Sequence, residues 1–198
     1  MIRIGIGVEG PSDKAFWEKV LHRSFPGCWF TIVTLSGRIP LARTAPEMAE
    51  GFRNSGHAAA FFLLDADKLP CATSVLELFD ESFRAAAFLT PVTSRFAHIA
   101  VAIRELESWV LADEECVRDL LDYPEYKASA PDEKPGGKAK FLRLCHERNL
   151  TFGGLDDREL AGRAGSRFSP ARARKHSPSF DYFWNRLTAR IESARATK

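Results

Sequence analysis

Three strand-like runs of apolar residues are each followed by acidic side chains. The acids are Glu9 after the first run, Asp65 and Asp67 after a second, and Glu105 and Glu107 after a third. In a parallel sheet the carboxyl ends of neighbouring strands lie at one edge, so we expect these acids to converge there. Carboxylates that lie close together repel one another unless a cation or a proton joins them.

The predicted ligands are oxygen atoms only. Carboxylate oxygens suit hard divalent ions such as Mg²⁺ or Mn²⁺, whereas zinc favours Cys and His. The five histidines and four cysteines have no spacing typical of metal ligands or of a disulfide framework. The acids therefore predict a magnesium or manganese site.

Each acid also has a structural interpretation. Glu9 could be solvated, with Asp13 placed in the first turn of a helix where the macrodipole favours an acid. Asp65 and Asp67 could form an Asx turn. Glu105 and Glu107 could begin a helix, which would turn them about 200° apart, so that only one reaches a metal. Lys68 could balance charge, contact a phosphate or lie on the surface.

The elements that must position these acids alternate between strand and helix. This alternation predicts an α/β fold with a four-stranded parallel sheet. The predicted strands are Ile2 to Val8, Cys28 to Leu35, Ala58 to Leu64 and Phe96 to Ile103, and the helices between them are Ser12 to Phe25, about Leu41 to Arg53, and Ser74 to Arg84. The third strand is apolar almost throughout, which predicts a central position with both faces buried.

The remainder of the chain is predicted to be helical. We expect a core domain over residues 1–112 and a helical, basic extension over residues 113–198 that packs on it. The predicted helices lie around Glu105 to Leu121, Lys138 to Arg148 and Ser179 to Ala194, with a loop at Pro131 to Gly137. The segment Arg158 to His176, interrupted by glycines and a proline, is predicted to be a flexible basic arm.

Charge is distributed unevenly along the chain, although the net charge is only +2. Residues 1–133 hold 13 Lys+Arg against 20 Asp+Glu, and residues 134–198 hold 15 against 6. A basic half of this kind attracts polyanions, of which nucleic acid is the obvious one. The candidate contacts are Lys138, Lys140, Arg163, Arg167, Arg172, Arg174 and Lys175. The alternatives are a solvated loop for the arginines and an exposed helix after a turn for the two lysines.

The first residues do not read as a secretory signal, and the apolar run of residues 58–64 is much shorter than the ~20 residues of a spanning helix. We therefore expect a cytoplasmic protein with reduced cysteines and no membrane partner.

Glu9-Gly10 after the first strand and Asp65-x-Asp67 after the third resemble the Toprim domain of topoisomerases, bacterial primases and several nucleases. The resemblance covers about residues 1–112. It implies that Glu9 acts as a metal ligand or general acid/base, and that Asp65 and Asp67 hold Mg²⁺. In the nuclease branch, the overcoming-lysogenization-defect proteins among them, it implies a second ion on Asp13 and on Glu105 or Glu107. As a whole, the chain looks most similar to small stand-alone Toprim-like proteins, some of which are associated with bacterial defence.

We therefore expect an Mg²⁺- or Mn²⁺-dependent phosphodiesterase that acts on DNA or RNA, with Glu9 and Lys68 as the candidate catalytic residues. One alternative is a non-catalytic module that binds nucleic acid or a defence-system partner protein. Another is a phosphohydrolase that acts on nucleotides.

Overall fold

A computed structural model gives the fold of the chain. It describes residues 1–66, 72–87, 94–103, 105–128, 132, 136–148 and 157–197. Asp67 and Lys68 lie outside these ranges, as do most residues of the loop predicted at 131–137.

The predicted parallel sheet is confirmed. Its strands are β1 (Ile2–Val8), β2 (Cys28–Thr34), β3 (Ala59–Asp65) and β4 (Ala97–Ala102). Every pairing is parallel, and the order across the sheet is β2-β1-β3-β4. The third strand is interior, as its continuous apolar run predicts, and only Asp65 at its end is not fully buried.

Helices flank the sheet and form the C-terminal region, so the chain has the predicted α/β class. Those in the described ranges are α1 (Pro11–Ser24), α2 (Arg38–Asn54), α3 (Ala72–Ala85), α4 (Leu106–Leu111), α5 (Glu114–Leu121), α6 (Gly137–Glu147), α7 (Asp157–Arg167), α8 (Pro170–Ala173) and α9 (Pro178–Ala196). Helix α2 begins before its predicted start because Pro40 lies in its first turn, where no intrahelical N–H donor is needed.

The two faces of the sheet bury different clusters. Helices α2 and α3 cover one face, where a Cβ on Gly5 would lie 2.4 Å from the ring of Phe52. Helix α1 and the C-terminal helices cover the other face. There Trp17 lies edge-on to Trp109 at a centroid distance of 5.8 Å, and Trp109 stacks on Phe183 of α9 at 5.6 Å.

Residues on both sides of position 112 therefore share one hydrophobic core. The indole N–H of Trp109 donates to the hydroxyl of Ser179 at 2.7 Å, which adds a buried polar contact between α4 and α9. The C-terminal helices pack on the sheet, and the predicted division into a core domain and an extension stays a prediction.

The prediction of a flexible basic arm at residues 158–176 is wrong, because this segment forms α7 and α8. Gly165 does not break α7 but lets it pack tightly against α1. A Cβ there would lie 2.5 Å from the carbonyl oxygen of Phe16. Nothing surrounds the corresponding position of Gly162, which is tolerated within the helix at a modest propensity cost.

No helix in the described ranges is long and apolar enough to cross a membrane.

Candidate functional site

Glu9 and Asp65 lie together at the carboxyl edge of the sheet. Val8, the last residue of β1, pairs with Leu63, so Glu9 directly after the strand lies near the level where β3 ends. The Oε1 atom of Glu9 accepts a hydrogen bond from the backbone N–H of Asp65 at 3.0 Å. This contact fixes one predicted ligand beside the main chain of another.

Asp13 joins them from the first turn of α1. Its Oδ2 accepts the backbone N–H of Gly10 at 2.9 Å, so it also caps the helix. It also lines a small cavity with Glu9 and Asp65, against the buried indole of Trp17. The capping role and the position among the acids are thus compatible.

Asp13 also borders a second cleft on its other side. This cleft brings Asp13 together with Glu107 of α4, Lys138 of α6 and Asp157 of α7 over an apolar floor that includes Phe16. Burial raises the pKa of both Asp13 and Glu107, and the nearby charge of Lys138 opposes that rise. Two desolvated carboxyl groups therefore lie beside one ammonium group.

Glu105 and Glu107 point to different partners, as expected if a helix begins there. Glu105 is the N-cap of α4, and its Oε2 accepts the backbone N–H of Lys138 at 2.6 Å. Glu107 faces the cleft that contains Asp13. Gly137 permits the approach of α6, since a Cβ there would lie 2.3 Å from the hydroxyl of Ser108.

Sequence reasoning missed two residues of this region. Arg38, at the start of α2, donates to the backbone carbonyls of Asp65 at 3.0 Å and Ala66 at 3.4 Å. Its position after β2, at the same edge as the acids, could have indicated from the sequence that Arg38 lies near them. Asp157 carried no such signal, because only the packing of α7 on α1 brings it to the cleft.

The donor chemistry of this edge fits a hard divalent cation, because the available ligands are carboxylate oxygens. Two of the carboxyl groups are desolvated, and a nearby cation would offset that cost. Within the part of the chain that the structure describes, no three Asp, Glu, His or Cys side chains form a ready-made metal cluster. Asp67 lies outside that part of the chain.

Four basic side chains line a groove between α1 and α7. They are Lys19, Arg158, Arg163 and Arg167, and the acids Glu18 and Glu159 line the same groove. Arg163 pairs with Glu159 at 2.8 Å. Because Asp157 and Arg158 are consecutive, the basic groove and the acidic cleft meet at the start of α7.

The other predicted nucleic-acid contacts have diverse surroundings. Arg172 forms two hydrogen bonds to the fully buried carboxylate of Asp113, at 2.5 and 3.0 Å. Arg174 pairs with Asp181 at 2.5 Å. The ammonium of Lys140 lies 5.7 Å from the ring centre of Tyr126, and Lys138 is exposed beside the acids. Lys175 is exposed after the short helix α8.

Comparison with known proteins identifies a family but supplies no link to Toprim, which therefore stays a resemblance. No curated protein and no solved structure matches the chain significantly. One family model covers residues 8–188, which include the acids of the carboxyl edge and the basic helices. The chain belongs to the family described as Domain of unknown function (DUF4276).

Proposed function

We propose that this chain hydrolyses phosphodiester bonds of nucleic acid with the help of Mg²⁺ or Mn²⁺. The observation that carries the proposal is the cavity at the carboxyl edge, where Glu9, Asp13 and Asp65 meet and Glu9 contacts the main chain of Asp65 at 3.0 Å. Acids that follow β1, begin α1 and end β3 converge where α/β sheets place their ligands.

Glu9, Asp65 and Asp67 are the proposed ligands of one ion, and Asp13 with Glu105 or Glu107 are those of a second. Of the last two, Glu107 faces Asp13. When bound, a divalent cation supplies positive charge to the phosphoryl and leaving oxygens of an in-line displacement.

Other residues at the carboxyl edge have proposed roles in substrate binding and proton transfer. Glu9 is the proposed acceptor of the proton from the attacking water. Lys138 lies beside Asp13 and Glu107, where its ammonium group can pair with a phosphate of the substrate. Arg38 holds the main chain at the end of β3 through its two carbonyl contacts. Lys68 is a second proposed phosphate contact, from the sequence alone.

A polyanionic substrate is supported by the basic groove next to the acids. Lys19, Arg158 and Arg167 can contact successive phosphates along α7, which starts at the cleft. Arg167→Gln is expected to weaken binding of an oligonucleotide. It should also reduce the slope of log K against log salt concentration by about 1, which corresponds to one phosphate contact. Arg43→Gln changes an exposed arginine of α2 outside the lining of this groove and offers a matched control.

The cleavage test compares Asp65→Ala with the wild type on single- and double-stranded DNA and RNA in Mg²⁺ or Mn²⁺. The variant keeps the backbone N–H that Glu9 contacts, so it removes only the carboxylate. We expect cutting by the wild type and none by Asp65→Ala. Glu50→Gln changes an exposed acid near the far end of α2 and should cut normally.

Cutting that persists in Asp65→Ala would refute the assignment of this carboxylate. Binding of oligonucleotides by the wild type without cutting would instead favour a non-catalytic module. Phosphate release from nucleoside triphosphates, with no cutting of polymers, would favour a nucleotide phosphohydrolase.

A further inference from the structure

Strand β2 is an edge of the sheet, with its outer backbone groups directed away from β1. The N–H of Leu35 donates to the carbonyl of Val8 at 3.1 Å, so odd-numbered residues of this strand bond to β1. The even-numbered residues alternate with them and present N–H and C=O groups outward. No described strand pairs with the outward groups of Phe30, Ile32 and Thr34.

This edge lacks the features by which proteins usually prevent pairing between chains. Such features include charged side chains, proline and bulges. From Cys28 to Gly37 the chain contains no charged residue and no proline, and the register with β1 runs unbroken over seven pairs. Trp29 is 59% exposed although it lies within the strand. Within the described ranges, β2 is therefore an uncharged edge strand with no strand paired to its outer side.

The opposite edge is different. At the start of β4, the N–H of Ala97 donates to the hydroxyl of Ser94 at 3.0 Å, which satisfies an outward group within the chain. Helix α9 also reaches this strand, where Arg190 donates to the side chain of His98 at 3.0 Å. The two edges of the sheet are thus not equivalent.

We propose that β2 pairs antiparallel with β2 of a second copy of this chain, around a two-fold axis at Thr31. An axis there sets Phe30 opposite Ile32 of the second copy and Trp29 opposite its Val33. Phe30 and Ile32 both carry outward backbone groups, so they form the hydrogen-bonded pairs that an antiparallel ladder requires. Thr31 then lies opposite Thr31 of the second copy, and these two residues form a non-hydrogen-bonded pair.

The side chains of β2 also complement themselves in this register. Cys28, Phe30 and Ile32 lie on the face covered by α1, and Val33 lies on the opposite face. The two-fold keeps residues of the same face together and gives Trp29–Val33 and Phe30–Ile32 pairs, the aromatic and β-branched combinations that stabilise sheets. No like charges oppose each other along the strand, and a second copy supplies this complement without a further partner.

The pairing gives a continuous eight-stranded sheet, since each copy contributes four strands. Because the two β2 strands run in opposite directions, the acidic edges of the two copies face opposite ways. Each acidic edge is built from one copy, so the dimer does not depend on the proposed function.

Charge exchange at the axis tests the register. Thr31→Lys and Thr31→Glu each place two like charges opposite one another, so each variant alone should be monomeric by sedimentation while the wild type has twice the mass of one chain. An equimolar mixture of the two variants should regain the dimer mass. Ile39→Lys adds a lysine at an exposed position of α2 and should stay dimeric.

A monomeric wild type at every soluble concentration would overturn the proposal, and so would a Thr31→Lys protein that remains a dimer. If either variant is unfolded by circular dichroism, amide exchange of the wild type decides by NMR. The N–H groups of Phe30, Ile32 and Thr34 should lose protection on dilution while those of Thr31 and Val33, which bond to β1, keep theirs. Equal protection at all concentrations would also overturn it.

Discussion

His98 is a buried side chain whose charge state should govern the acid stability of the protein. It is only 3% exposed, and burial, with the charges of Arg190 and Arg186, lowers its pKa to about 4. The Nε of Arg190 donates to Nε2 of His98 at 3.0 Å, a contact that requires this nitrogen to be unprotonated. The folded protein therefore favours neutral His98.

The predicted consequence is a loss of stability in mild acid. Below the unfolded pKa of about 6.5 the unfolded chain takes up a proton that the folded chain resists until about pH 4. The free energy of unfolding should fall across this window by at most about 3 kcal/mol from this group, at about 1.36 kcal/mol per pKa unit. His98→Gln, measured by urea unfolding at several pH values, should flatten the decline.

His22→Gln replaces an exposed histidine of α1 and serves as the control. Its free energy of unfolding should fall with decreasing pH as steeply as that of the wild type. An equally steep decline in His98→Gln would show that other groups cause the acid sensitivity.

Arg172 and Arg174 are close in sequence but differ in the burial of their partners. Asp113 is fully buried, and besides Arg172 it accepts the backbone N–H groups of Cys116 and Ser169. Arg172→Met leaves that carboxylate without its cation, which should lower the free energy of unfolding by about 3 kcal/mol. Arg174→Met breaks an exposed pair and should cost under about 1 kcal/mol.

Urea unfolding of the two variants at neutral pH measures this difference. Similar small losses for both would contradict a structural role of Arg172. A large loss for Arg172→Met would mean that its effect on nucleic-acid binding must be separated from its effect on folding.

At the level of elements, the contact between α1 and α7 depends on Gly165. Gly165→Ala would force a Cβ to within 2.5 Å of the carbonyl oxygen of Phe16 in a close-packed core. We expect the variant to lose about 1–3 kcal/mol of unfolding free energy. Gly162→Ala in the same helix meets nothing and should be neutral or stabilising by up to about 1 kcal/mol.

Thermal unfolding of both glycine variants gives the comparison. A Gly165→Ala protein as stable as Gly162→Ala would show that the two helices can separate at little cost, and that the basic groove between them is adaptable.

The same glycine shows where local sequence patterns fail. The strands were predictable to within about a residue because apolar runs and turn residues agree there. Helix α7 was not predictable, because glycine in a local sequence pattern indicates the end of a helix. In α7 the missing side chain of Gly165 instead allows close packing against a helix that is distant in sequence. Tertiary contacts outweighed propensity.

The candidate site was predictable to the extent that it depends on strand ends. The proximity of Glu9 and Asp65 follows from parallel topology, and so does the edge on which Arg38 lies. The position of Lys138 beside Asp13 and Glu107 does not follow, because it depends on how α6 docks on α4 through Gly137.

At the scale of the whole molecule, side chains from the two oppositely charged halves of the chain come together at the carboxyl edge of the sheet. Glu9 after β1, Asp13 in α1 and Glu107 in α4 come from the acidic half, while Lys138 and the start of α7 come from the basic half. The shared aromatic core of α1, α4 and α9 holds the halves together. A polyanion that crosses the basic groove would therefore arrive beside the carboxylates.

Binding of Mn²⁺ tests this arrangement most directly, because it requires neither a substrate nor turnover. Titration followed by calorimetry and by the electron paramagnetic resonance signal of free Mn²⁺ should show binding to the wild type and to Glu50→Gln. Asp65→Ala should lose the ion proposed for Glu9, Asp65 and Asp67, so it should bind fewer Mn²⁺ ions than the wild type. Absence of Mn²⁺ binding in the wild type, or equal binding in Asp65→Ala, would contradict a metal site at the carboxyl edge.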